Sequence, residues 1–137
     1  EFANRPAPWD DADTRKILVL MTDGSITDQF RPKDYFDPAN LTSALSKSRR
    51  TTLTSRSTNL SHFYSACDMA KDPSRDVIVY TVALEIGNLS SENLTSTERE
   101  MQNCASDDAF FFRTAGENLI SVFEDIAEQI TELRLSL

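Results

Sequence analysis

The stretch Lys16-Ile17-Leu18-Val19-Leu20-Met21-Thr22-Asp23-Gly24-Ser25 most constrains what this chain can fold into. Five consecutive apolar residues, Ile17 to Met21, show no polar alternation. A run of that length and kind suits a strand buried on both faces, as in a parallel sheet. It stops abruptly at Thr-Asp-Gly, where Gly24 is expected to let the chain turn sharply. Asp23 would then stand at the carboxyl end of a central strand, where open α/β sheets place their ligands. A carboxylate there is a natural donor to a hard cation such as Mg²⁺.

A second apolar run, Val77 to Leu84, has the same central-strand character. Between the two, residues 59–71 read as a helix. Leu60, Phe63, Tyr64, Cys67 and Ala70 share one face, and Asp72-Pro73 ends it. Strand, helix, strand is a βαβ unit. Thr95 with Glu98 has capping-box spacing and opens a short helix through Cys104. Asp107-Asp108 turns the chain into a strand at 109–113, and Thr114 with Glu117 forms a second capping box. The final helix carries Leu119, Phe123, Ile126, Ala127, Ile130 and Leu133 on one side. The expected fold is α/β, a Rossmann-like parallel sheet flanked by helices.

The remaining stretches are polar. Residues 1–14 read as an irregular lead-in, with Pro6, Pro8 and Trp9. Residues 24–37 read as a loop, and Asp37-Pro38 as the start of a short helix bearing Leu41, Ala44 and Leu45. Residues 46–58 are basic, with no acid, and read as mobile surface or as a short hairpin rather than a binding loop.

A net charge of −8 argues against a nucleic-acid-binding domain. No apolar run approaches the ~20 residues of a membrane helix. There is no Gly-rich phosphate loop and no G-x-S-x-G elbow. His62, the sole histidine, lies off the helix stripe and is given no catalytic role. Cys67 and Cys104 lack metal-ligand spacing, which leaves two buried thiols or one disulfide. Four Asn-Leu-Ser/Thr sequons, at Asn40, Asn59, Asn88 and Asn93, matter only in a secreted eukaryotic chain.

Taken together, these stretches resemble von Willebrand factor type A domains, in the variant of the Tad/Flp pilus-assembly (TadG-like) proteins. Lys16 to Ser25 looks like the family's fourth strand and following loop. Leu60 to Lys71 looks like its Cys-containing helix, and Val77 to Ala83 like its next strand. Cys104-Ala105-Ser106, Ala109 to Phe112 and Asn118 to Leu135 look like its final strand and helix.

The resemblance covers most of residues 15–137 and implies the C-terminal half of such a domain. It implies a non-enzymatic, extracytoplasmic module that binds protein partners among pilus or envelope components. The location would be the periplasm or cell surface, with membrane attachment through a segment outside this sequence. An oxidising compartment favours a Cys67–Cys104 disulfide. The family is bacterial, so the sequons are read as coincidence.

Of the family's metal site only Asp23 maps here. The spacing Asp23-x-Ser25-x-Thr27 mimics another part of that site, but too few strands follow it for that assignment. Mg²⁺ is therefore expected only with the missing N-terminal half. The alternatives are a metal-independent structural module of a surface assembly and, less favoured, an Asp23-dependent phosphotransferase-like hydrolase.

Overall fold

A computed structural model describes residues 7–9, 11, 14–40 and 45–135, the last three as backbone. Its strands are β1 (Lys16–Thr22), β2 (Gln29–Pro32), β3 (Arg50–Thr54), β4 (Val77–Leu84) and β5 (Phe111–Thr114). Its helices are α1 (Arg56–Lys71), α2 (Ser96–Cys104) and α3 (Leu119–Leu135). The chain divides into two compact units, residues 26–64 and the remainder.

The larger unit is mixed α/β, with a parallel three-stranded sheet in the order β1-β4-β5 and helices against it. β4 is the centre, and Val79 to Ala83 are completely buried. Side chains alternate across a strand, so its two faces meet different helices. Tyr80 and Val82 pack with Val122 and Ile126 of α3. On the opposite face, the Thr81 hydroxyl donates to the Met101 carbonyl of α2 at 2.9 Å. Cys67 of α1 and Cys104 of α2 are disulfide-bonded, with Cα atoms 5.3 Å apart. Both are buried, so the bond belongs to the core on the α2 face.

Several expectations are corrected. β1 is not a central strand buried on both faces: among the described residues β4 is its one neighbour. Leu18 and Met21, on opposite faces of β1, are each 45% exposed. An unbroken apolar run reports that a strand can be buried, not that this chain supplies the burying layers.

The core stripe of α3 runs through Leu119, Val122, Ile126 and Ile130. Phe123 and Ala127 are exposed instead, and the Leu133 side chain lies outside the described residues. The stretch after Asp107 opens as a 3₁₀ turn, Asp108–Phe110, because the Asp107 carboxylate caps the Ala109 N–H; β5 follows it. The second capping box does not form. The Thr114 hydroxyl donates to the Ala115 carbonyl, and Gly116–Asn118 is a 3₁₀ turn without a side-chain cap.

In the smaller unit, β2 and β3 pair antiparallel with a bulge at Gln29/Phe30. β2 falls inside the expected 24–37 loop, and the basic stretch 46–58 supplies β3 and the start of α1. The stretch does not form a hairpin of its own: it supplies one strand, which pairs with β2. Two of its basic residues find partners: Arg49 bonds Asp37 and Asn40, and Arg50 lies 3.7 Å over the Phe30 ring. α1 starts at Arg56, ahead of the expected 59, because Asp28 accepts the Arg56 N–H and Ser55 accepts that of Thr58. Pro38–Asn40 is a 3₁₀ turn; the rest of the helix expected there, at 41–44, lies outside the described residues.

Candidate functional site at the carboxyl ends of the parallel strands

In a parallel sheet the loops that leave the carboxyl ends of the strands gather at one edge. Here that edge holds the 23–25 loop after β1, the 85–95 loop after β4, and the 115–118 turn after β5. Asp23 is exposed in the first of these. The Thr22 hydroxyl accepts the Gly24 N–H at 3.2 Å and shapes the turn. Gly24 does not use glycine's freedom as expected: its φ is not positive, and an added Cβ would meet nothing within 4 Å. Ser25 reaches the first turn of α2, where its hydroxyl and that of Thr97 bond at 2.7 Å.

The 85–95 loop is fastened from beneath. Gly87 has φ +71°, and an added Cβ would sit 2.8 Å from Thr95 Cγ2. That conformation and that closeness both exclude a side chain. The predicted box at α2 is present: Thr95 Oγ1 accepts the Glu98 N–H, and Glu98 Oε2 accepts the Thr95 N–H. Glu98 is completely buried, and its Oε1 accepts from Arg113 Nε of β5 at 2.7 Å. The same guanidinium donates to the carbonyls of Ser91 and Asn88, at 2.9 Å each. Arg113 thus ties β5, α2 and the loop together.

Burial works against the Glu98 carboxylate. The Thr95 N–H and hydroxyl and the Arg113 guanidinium outweigh it and hold its pKa below the usual glutamate value. Beside this cluster, Glu85 takes φ +53° at the end of β4, and its Oε1 accepts the Gly116 N–H. The left-handed bend at a non-glycine residue is strain held by the surrounding bonds.

The capping box was legible in sequence, but the role of Arg113 was not foreseen. The available signal was an arginine ending the apolar run Ala109 to Phe112, since a buried arginine demands an acid.

As a metal site the edge is incomplete. Asp23 offers one carboxylate, and the hydroxyls of Ser25 and Thr97 are bonded to each other. Among the described residues no group of three or more His, Cys, Asp or Glu side chains is placed to hold a cation. Mg²⁺ demands near-octahedral oxygen coordination, and the single carboxylate of Asp23 leaves most of that shell to water or to ligands from outside these residues. His62 is exposed on α1. No helix among the described residues is long and apolar enough to cross a membrane.

An apolar cavity of about 720 Å³ lies at the opposite, amino end of β1 and β4, lined in part by Trp9, Lys16, Leu18, Met69 and Val77. It is remote from Asp23. Comparison with protein-family models, with curated proteins and with solved structures found no match.

Proposed function

We propose that this chain is the C-terminal half of a von Willebrand factor A-like domain of the TadG-like kind. It acts as a non-enzymatic interaction module outside the cytoplasm, binding protein components of a pilus or envelope assembly. The observation that carries the reading is the position of Asp23: it is exposed at the carboxyl end of β1, in a parallel β1-β4-β5 sheet. Further support comes from the exposed outer side of β1, where upstream strands of a whole domain would add, and from the Cys67–Cys104 disulfide, which suits an oxidising compartment.

In this reading metal dependence belongs to the parent chain, because Asp23 needs ligands from elsewhere. The bond between Ser25 and Thr97 favours a second reading, a metal-independent structural module, since it occupies two hydroxyls that a cation would need.

Calorimetric titration of Mg²⁺ into this chain and into a parent with its upstream strands tests both. The first reading expects stoichiometric binding to the parent alone, lost in Asp23→Ala. Asp23→Ala should change the stability of this chain by less than about 0.5 kcal/mol, as an exposed loop substitution. A parent that binds no Mg²⁺ leaves the structural reading in place. Stoichiometric binding to this chain by itself would overturn the claim that the site is incomplete.

A further inference from the structure

In the smaller unit, the chain leaves β2 through a turn that carries two aromatic side chains into solvent. Phe36 is 93% exposed and Tyr35 62%. A lone exposed apolar residue needs no explanation, but here two adjacent aromatics share one tip. Their display is built in. The Phe36 N–H donates to Asp34 Oδ1 at 2.9 Å, and the Asn40 side-chain amide donates to the Asp34 carbonyl at 2.7 Å. Arg49 donates to Asp37 at 3.0 Å from the neighbouring 46–49 turn.

Cations share that end of the β2-β3 pair. The Arg31 guanidinium donates to the Tyr35 hydroxyl at 3.2 Å and stands 5.9 Å from its ring centroid. The Lys33 N–H donates to the Arg49 carbonyl, and its ammonium donates to the Ser48 carbonyl at 2.8 Å. These bonds set the 46–49 turn, with exposed Lys47, at the same end as the aromatics. The two carboxylates beside the tip are engaged: Asp34 accepts the Phe36 N–H, and Asp37 accepts the Ala39 N–H and Arg49. Residues 26–64 hold six Lys and Arg against three Asp, a net charge of +3, so the −8 of the whole chain leaves −11 on the rest.

We propose that this turn inserts Tyr35 and Phe36 into the interfacial layer of an anionic lipid bilayer, with Arg31, Lys33 and Lys47 against the lipid phosphates. The charge is complementary: a negative bilayer surface attracts basic segments, and its field falls off within a Debye length of about 8–10 Å at physiological salt. Cations at the tip therefore act, while charges farther off are screened. The apolar part fits a bilayer better than a protein. A stable protein interface buries about 800 Å² per partner around a packed apolar core. Two side chains on a projecting turn do not supply that core, whereas a bilayer takes up an apolar tip without a fitted pocket. Tyrosine suits the headgroup level, with an apolar ring and a wet hydroxyl. The contact is peripheral and needs no membrane-crossing helix. It goes beyond the proposed function and does not rest on it, since it uses residues 26–64 alone.

Co-sedimentation of this chain with lipid vesicles tests the proposal. The wild type should partition onto vesicles of equal parts phosphatidylglycerol and phosphatidylcholine, and stay in solution with phosphatidylcholine alone. Phe36→Ser should weaken the partition about tenfold or more, from the lost apolar transfer. Lys47→Glu should weaken it about fivefold or more, and raised salt should act in the same direction. Both side chains are exposed, so each variant should keep the far-UV circular dichroism of wild type. Trp9→Phe combined with Phe36→Trp moves the single tryptophan of the chain to the tip. Its emission should shift to the blue with the mixed vesicles and be quenched by brominated lipid. A wild type that ignores the mixed vesicles overturns the proposal and leaves an acidic protein as the occupant. Binding unchanged by Phe36→Ser, or tip emission that stays at its aqueous position, overturns insertion equally.

Discussion

Replacing Arg113 with Met tests how the carboxyl-edge loop is held. Arg113 is 19% exposed and its partner Glu98 is fully buried. The substitution keeps most of the apolar volume but removes the bond to Glu98 and those to the Ser91 and Asn88 carbonyls. A buried acid left without its counter-charge costs about 3–5 kcal/mol. The Thr95 N–H still serves Glu98, and the Asn88 carbonyl can turn to water, so the lower end applies: about 3 kcal/mol at pH 7. That is a large share of the ~5–15 kcal/mol by which a domain is stable.

The pH dependence has a definite sign. The folded pKa of Glu98 is lowered, so its stabilisation is present above the unfolded value of about 4.3 and is lost as pH falls through the folded value. The wild-type advantage over Arg113→Met should therefore be present at pH 7 and shrink as pH falls through the range in which Glu98 protonates, first in the variant, where burial acts without the counter-charge, and last in the wild type. Adding Glu98→Gln to Arg113→Met removes the stranded charge and should recover more than about 1 kcal/mol. Urea unfolding followed by far-UV circular dichroism reads all three proteins across pH. A loss under about 1 kcal/mol that is also flat in pH would refute the claim that this pair fastens the loop.

Three further outcomes follow from the same structure. Cys67→Ala/Cys104→Ala should lower stability by about 3–4 kcal/mol, from the chain entropy of a loop with a sequence separation of 37, measured by denaturant midpoint against the oxidised protein. Limited trypsin should cut first after Lys47, exposed in the turn before β3, and late after Arg50, which lies in the ladder; mass spectrometry of the first fragments decides. Gly87→Ala should destabilise by about 1–2 kcal/mol from its left-handed backbone alone, with the contact to Thr95 adding to that. Gly24→Ala should be neutral or stabilise by up to about 1 kcal/mol, and thermal unfolding of the two variants checks the contrast.

Signals written in neighbouring residues were readable in advance. The apolar runs at 17–21 and 77–84 named two strands, and their bounds match β1 and β4 closely. The Thr95–Glu98 box named the start of α2, because a cap is made by residues three apart and needs no distant partner. The Cys67 stripe of α1 was equally local. The choice between free thiols and a disulfide was not, and it turned on a family resemblance rather than on spacing.

What the tertiary structure alone decided is which of several locally acceptable states wins. Residues 46–58 were compatible with coil or hairpin, and pairing with β2 selected the strand. Spacing along α3 put Phe123 on the core stripe, and the surface offered by Tyr80 and Val82 selected Val122 instead. Arg113 became intelligible only when β5 brought it against Glu98, fifteen residues back in the chain. Thr-Asp-Gly marked the end of β1 in sequence, but how many ligands stand around Asp23 depends on loops from separate strands. Local propensity depends on a handful of adjacent residues, whereas burial, ion pairing and ligand geometry depend on where the sheet sets residues far apart in sequence.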